Sequence, residues 1–542
     1  MKLPNMRYVD GIRKGRQVKF GGLNHTLGAG DGELWEMRNL TSDHFPVLAV
    51  RPPRMKYTSL AYPGGLFSWE KLCWVDGTGF YFDGMKKGAV TAGEKTFAAL
   101  GAYIIIMPDK AWYNTYTDEF GQLEKSWSGT GLTFQNGLLF EEDAEANTIY
   151  CAGVKWENYF RAGDAVTIEG CTIHTENNKT PVIREIDGDK MYFYEYAFTL
   201  DGDEGATAYT EKGSLTIKRT VPNMDFLCEN ENRLWGCKGD TIFASKLGDI
   251  FNWNVFEGLE TDSYYVDTGS AGSFTACISY LGYPIFFKED RIYKVYGSIP
   301  SNFEVMGSAT LGVSEGSGRS LAIAGETLFY LSRAGITAYS GGIPQPISAA
   351  FGTCRYRNAA AGSDGLKYYV SMEDDTEGYR LFVYDSQRGV WHIEDEMKAT
   401  HFAVWNGNLY FLNASGEVWI TGNIQSPPEG VQPEGAVSWS AEFGDFTEND
   451  PNKKGVSKLQ IRLELDEGAS MEVLIQFDSD GGWQRVGGAL GEGPKRSYYL
   501  PIIPRRGDHY RLKLQGTGGC RVYSLVRELY SGSELRSTTG RN

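Results

Sequence analysis

The chain has 542 residues, a formal net charge of −16, 13% aromatic residues and 67 glycines. That length exceeds one ordinary core, so roughly two to four domains are expected, and the aromatic and glycine content favours strands and tight turns over helices. The acidity argues against a protein that grips phosphates over a broad surface, although an acidic wall would let DNA slide past without adhering.

No long segment shows 3.6-residue apolar periodicity, so helix is expected to be scarce. The opening MKLPNMRYVDGIRKGRQ has no apolar stretch of the kind a signal peptide needs. The longest apolar run, 102–107, is far short of a membrane span and reads as a buried strand. Synthesis in the cytoplasm without membrane insertion is therefore expected.

Residues 1–56 read as an extended lead-in, irregular except for a strand at 46–50 that Pro52 and Pro53 stop. From 57 a loose repeat begins, of the form apolar strand, Gly/Asn/Asp turn, very apolar strand, charged turn, aromatic strand. Its units fall at 65–82, 97–114, 224–253, 274–296, 320–339, 367–393 and 401–420. A period of roughly 35–50 residues in an all-β chain means propeller blades, each burying its faces against the next. The count is about seven, with six or eight open.

Residues 125–220 break the rhythm. The turn Gly163-Asp164-Ala165-Val166-Thr167-Ile168 and the later hairpin Ile183 to Phe193 resemble those of SH3-like barrels, so a small β-barrel inserted at a loop tip is expected. The blades then resume over 221–424. A Pro/Gly linker at 425–436 is followed by alternating segments such as KLQIRLEL at 458–465 and MEVLIQF at 471–477. These predict a C-terminal β-sandwich over 437–530, with a polar tail at 531–542. The expected fold is thus all-β: a β-propeller over 57–124 and 221–424, with an inserted SH3-like barrel and a terminal sandwich.

Several short motifs invite chemical readings. Asp267-Thr268-Gly269 matches an aspartic-protease loop, but that chemistry needs two carboxylates sharing a proton and no second such loop exists, so a turn in a blade connection is expected. Arg506-Gly507-Asp508 is the adhesion tripeptide, and a β-turn is the better reading of it. Gly28-Ala29-Gly30-Asp31-Gly32 begins like a phosphate loop, but Glu33 stands where a further glycine belongs. The six His show no metal-ligand spacing, and the eight Cys, without any C-x-x-C, read as buried free thiols. Cys228 and Cys237 flank one hairpin, but an oxidised pair is not expected in a reducing compartment. Paired glycosidase carboxylates stay open among the many Asp and Glu. No catalytic, cofactor-binding or metal-binding residue is assigned, and no cofactor is expected.

A family resemblance arises from three stretches. The first is Phe20-Gly21-Gly22-Leu23-Asn24, with Asn39-Leu40 and Leu48-Ala49-Val50-Arg51-Pro52. The second runs from Arg233-Leu234-Trp235-Gly236 through Ser245-Lys246-Leu247-Gly248-Asp249 and Asn252-Trp253 to Pro300-Ser301-Asn302-Phe303. The third is the 501–518 region. Together these resemble the β-propeller nozzle (tail hub, tail tubular or stabilisation) proteins of tailed phages and prophages. The resemblance implies a non-enzymatic structural protein of the virion tail, assembled in the host cytoplasm. It further implies a six-fold homo-oligomeric ring below the portal and adaptor that retains and conducts genomic DNA. The inserted barrel departs from that pattern. The alternative is a receptor- or glycan-binding tail or baseplate appendage, which exposed Trp69, Trp112 and Trp156 on one rim would favour. A free-standing propeller enzyme would need carboxylates of raised pKa converging on a channel.

Overall fold

The computed structural model describes residues 13–531, apart from 27, 139–144, 195–196, 201–207, 423, 425–426, 449–452, 491–492 and 504. The expected tail beyond Ser531 and parts of the 425–436 linker therefore lie outside the described residues. Contacts divide the chain into one unit of residues 61–318 and another of residues 1–60 with 319–542.

The fold is a β-propeller, built from seven meander sheets among the described residues. Four are in the 61–318 unit. Their first strands are Pro63–Trp69, Thr96–Leu100, Phe226–Asn230 and Ala276–Tyr280. In each blade the second strand is the most apolar: Lys71–Asp76, Tyr103–Met107, Arg233–Lys238 and Tyr283–Lys288. It is paired on both edges and covered on both faces, so it reads as a continuous hydrophobic run rather than an alternating one. The fourth strands face solvent; Glu304–Ala309 is almost wholly exposed.

Between the second and third blades the chain builds the inserted domain. A three-stranded sheet (Lys125–Gly129, Leu215–Arg219, Thr167–Glu169) and a five-stranded one share a core that includes Phe134, Ile149, Trp156, Ile168, Met191 and Ile217. A buried polar joint ties this domain to the third blade. Asp164, fully buried, accepts hydrogen bonds from the Arg219 guanidinium, from Asn252 Nδ2 at 3.1 Å and from the Arg161 backbone N–H at 3.2 Å. Arg219 also donates to the Leu123 carbonyl at 2.9 Å, and its guanidinium lies 5.0 Å from the centre of the Phe251 ring.

The other unit holds three blades, starting at Ala322–Ala324, Arg357–Ser363 and Ala399–Trp405. The last of them is completed from far away in sequence: Met55–Ser59 pairs with Glu417–Thr421, and Gln432–Pro433 pairs with Met55–Ser59 in turn. The division at 56/57 thus cuts through a strand, and part of the expected linker belongs to a blade. In the sixth repeat the first strand is Arg357–Ser363 (RNAAAGS), whose small residues lack the apolar signature of its neighbours.

The same unit contains a sandwich of two sheets around one core that includes Phe443, Leu459, Ile461, Val473, Leu512 and Leu525. The lead-in is part of it. Arg13–Gln17 and Leu48–Val50 pair with Cys520–Ser531, while Leu34–Arg38 pairs with Ser438–Phe443. The lead-in looked irregular because its short strands are completed by partners about 400–500 positions away, and no local pattern encodes such pairing.

Candidate functional site

The D-T-G stretch forms a dense polar cluster in the 61–318 unit. Tyr264–Asp267 is the outer strand of the third blade, and the turn that follows is pinned by two side chains. Asp240 accepts from Thr268 Oγ1, from the Gly269 N–H at 2.8 Å and from Lys288 Nζ at 2.5 Å. Lys288, with a side chain only 1% exposed, also donates to the Ser270 carbonyl at 2.9 Å and to Ser270 Oγ at 2.7 Å. Tyr293 donates to the same Oγ at 2.5 Å. Burial opposes ionisation of Asp240, but Lys288 and Thr268 outweigh it and hold the carboxyl below its usual range.

This grouping sets a serine beside a lysine and a tyrosine, yet its chemistry is that of a clamp. A nucleophilic serine needs a base that accepts its proton, and both neighbours of Ser270 Oγ are donors to it. Asp267 accepts from Thr241 Oγ1 at 2.5 Å, apart from Asp240, so the two carboxylates do not share a proton. The turn reading of this motif therefore matches the geometry.

The other motifs are likewise absorbed by structure. Glu33 Oε2 accepts from the Gly30 N–H at 2.7 Å and from Asn24 Nδ2 at 2.8 Å, taking the place an anion would occupy. Arg506–Gly507 pairs with Lys454 and Gly455, and the Asp508 N–H donates to Asp478 Oδ1 at 2.6 Å. All eight cysteines are free. Among the described residues no group of three or more His, Cys, Asp or Glu is placed to hold a metal ion.

In the other unit, Arg51 and Arg54 of the V-R-P-P-R stretch form a buried ion network. Arg54 donates to Asp395 and Glu394 at 2.6 Å each, and Arg51 donates to Glu434 at 2.8 Å and to Asn39 Oδ1 at 2.8 Å. Sequence inspection missed this cluster; its signal was two arginines beside paired prolines, too short to reveal partners about 340–380 positions on. A cleft of about 680 Å³ in the same unit is lined by Asp43, Lys367, Asp385 and Arg388 among others. Lys367 pairs with Asp43, and Arg388 pairs with Asp385 at 2.8 Å. Despite desolvation, these cations keep both carboxyls below their usual range, so neither serves as a general acid near neutral pH.

Glu442 behaves differently. Burial pushes its carboxyl upward and Glu36, directly opposite on the neighbouring strand, adds to the rise; Lys513 and Arg511 oppose it. Glu36 is itself held by Arg380 at 3.1 Å. The pair lies on a sheet face flanked by three cations rather than in a channel. The three tryptophans share no rim. Trp156 is fully buried, Trp112 packs against Tyr103 and Phe251, and Trp69 is 37% exposed with its Nε1 donating to the Gly101 carbonyl.

The fold and its polar clusters define an all-β propeller chain whose buried charges serve the scaffold. No family model matches the chain, and no curated protein matches it. Among solved structures it is similar to BamB from Moraxella catarrhalis, at 10% identity and a TM-score of 0.31, covering 71% of this chain and 97% of that one. It is also similar to an exo-β-1,3-galactanase from Phanerochaete chrysosporium, at 8% identity and a TM-score of 0.21, covering 56% and 94%. A third is Raptor from Chaetomium thermophilum, at 11% identity and a TM-score of 0.30, covering 70% of this chain and 29% of that one. Similarities this distant carry no functional argument.

Proposed function

We propose that the chain is a non-enzymatic structural protein of a tailed-phage virion, forming a nozzle or hub ring below the portal and adaptor through which genomic DNA is retained and passed. The observation that supports this reading is that the nozzle-like residues of 233–303 meet one another in space. Arg233, buried, donates to the carbonyls of Ser245 at 2.9 Å, Glu260 at 2.7 Å and Asp262 at 2.5 Å. It thereby fastens the loop that carries Asp249, Asn252 and Trp253. The Phe303 ring lies 5.7 Å from the Arg233 guanidinium and 5.2 Å from the Trp235 ring. The residues that carry the resemblance thus build one scaffold. Net acidity suits a conduit whose surface repels its cargo over most of its extent. An oligomeric ring is a closed cyclic assembly with a heterologous interface.

The test is the mass of the purified chain by light scattering, alone and with a purified portal–adaptor complex. Six copies per ring on the adaptor is the expected result. A stable trimer indifferent to the adaptor would overturn the reading.

A further inference from the structure

The outer face of one sandwich sheet is basic and tyrosine-bearing on an otherwise acidic chain. Strand register fixes which residues share it. Lys14, Glu528 and Lys458 lie side by side in one row, and Arg16, Val526, Gln460 and Tyr499 in the next. A third row sets Arg462 beside Ser524 and Ser497. The inward partners Leu459, Ile461 and Leu463 are buried, which places Lys458, Gln460 and Arg462 outward. Lys495 joins them, its Nζ 3.3 Å from the centre of the Tyr523 ring.

Two carboxylates on this face are already engaged. Glu528 pairs with Lys14 at 3.4 Å, and Glu464 accepts from Tyr523 at 2.7 Å with Arg521 at 3.8 Å. Arg16, Lys458, Arg462 and Lys495 have no carboxylate at ion-pair distance among the described residues. The chain has 69 acidic against 53 basic residues, so four unpaired cations on one face are a concentration against the average. Tyr499 is 58% exposed, with Lys458 Nζ 4.7 Å from its ring centre.

We infer that this face binds the phosphodiester backbone of a nucleic acid. Strands lie about 4.8 Å apart and alternate residues along a strand about 6.7 Å apart. Arg16, Lys458 and Arg462 are therefore spaced about 12 Å from one another at the backbone, an arrangement that offers cations to successive phosphates along a chain. A linear polyanion reaches all of them. Tyr499, 58% exposed, adds a ring on which a base can stack when Lys458 turns from it to a phosphate, a contact that an acidic protein surface would not use. Acidity elsewhere on the chain repels the same polymer and confines it to this face. The site would give the virion reading a place where nucleic acid touches the protein, and it is tested on the purified chain apart from any ring.

The experiment is fluorescence anisotropy of a labelled 20-nucleotide oligothymidine and a labelled 20-base-pair duplex over a range of salt. For four phosphate contacts, log affinity for the single strand should fall with log salt at a slope of about −3. The variant Arg16→Glu/Lys458→Glu/Arg462→Glu/Lys495→Glu should lose that slope, and the same four positions changed to Gln give a milder version if the first misfolds. Tyr499→Ala should weaken single-strand binding by about tenfold or more and spare the duplex if stacking selects single strands. A duplex affected equally by the charge changes, with no effect of Tyr499→Ala, would assign the face to backbone contacts of either form. Wild-type affinity in both charge variants overturns the inference. So does unchanged nucleic-acid binding with lost self-association, which would assign the face to another copy of the chain.

Discussion

Replacing Asp164 by Leu removes the only carboxylate among the described residues that Arg219 contacts at the joint between the inserted domain and the third blade. Both side chains are buried, at 0% and 6% exposure. The remaining guanidinium keeps its bonds to the Leu123 carbonyl but loses its counter-charge, and a buried ion left unpaired costs about 3–5 kcal/mol. For a unit of this size, about 4 kcal/mol corresponds to a melting point lower by about 8–16 °C. The second variant is Asp164→Leu with Arg219→Met. Replacing a buried pair by apolar groups of similar volume is often neutral, so the double variant should return to within about 1–2 kcal/mol of the parent. Scanning calorimetry of all three proteins gives the comparison, with hydrogen exchange over 125–219 reporting whether the loss is local. A loss below about 1 kcal/mol in the single variant would refute the claim that Asp164 neutralises Arg219. A double variant as unstable as the single one would show that the polar geometry around Asn252 matters rather than the charge.

His392 is buried and lies beside Lys367, which together push its pKa down to about 4. An unfolded His protonates near 6.5, so between pH 6.5 and 4 the unfolded state binds more protons and stability falls as pH falls, by about 3 kcal/mol in all. Denaturant melts of His392→Gln should lack that slope, while the loss below pH 4, where Asp43, Asp385 and Asp395 become protonated, should persist. At Gly22 a Cβ would run into the Trp391 carbonyl, which accepts from the Leu23 N–H at 2.7 Å. Gly22→Ala should therefore free the 20–24 segment, read as faster proteolysis there; unchanged cleavage would count against this docking. Native protein treated with an aromatic disulfide reagent should label Cys354 first, because it alone among the eight cysteines is exposed, with Cys73, Cys237 and Cys520 modified only on unfolding.

The blades were legible because their second strands are long apolar runs bounded by Gly, Asp and Asn turns, as in 103–107 and 283–288. Their fourth strands were not, since MKKGA at 85–89 and EFGQ at 119–122 are short, polar and exposed. In the sandwich, the alternation of KLQIRLEL gave both a strand and an outer row of Lys458 and Arg462, although the basic face needed β-partners from both chain ends to become visible. The D-T-G motif was legible as a turn, but Lys288 and Asp240, which hold it, sit 18 and 30 positions from Ser270, one at the end of another strand and the other in a hairpin turn. Charge pairs of this kind are fixed by register between strands, which a single sequence does not display.

The pairing of Arg13–Gln17 with Leu525–Leu529 has a consequence for how a ribosome delivers this protein. At about 5–20 residues per second, the first strand emerges roughly half a minute to two minutes before its partner exists. In that interval residues 61–318 leave the exit tunnel with all the strands of their own blades, while Arg13–Gln17 waits without its partner strand. A nascent chain stalled short of residue 520 therefore holds a complete 61–318 unit and an orphaned leading end.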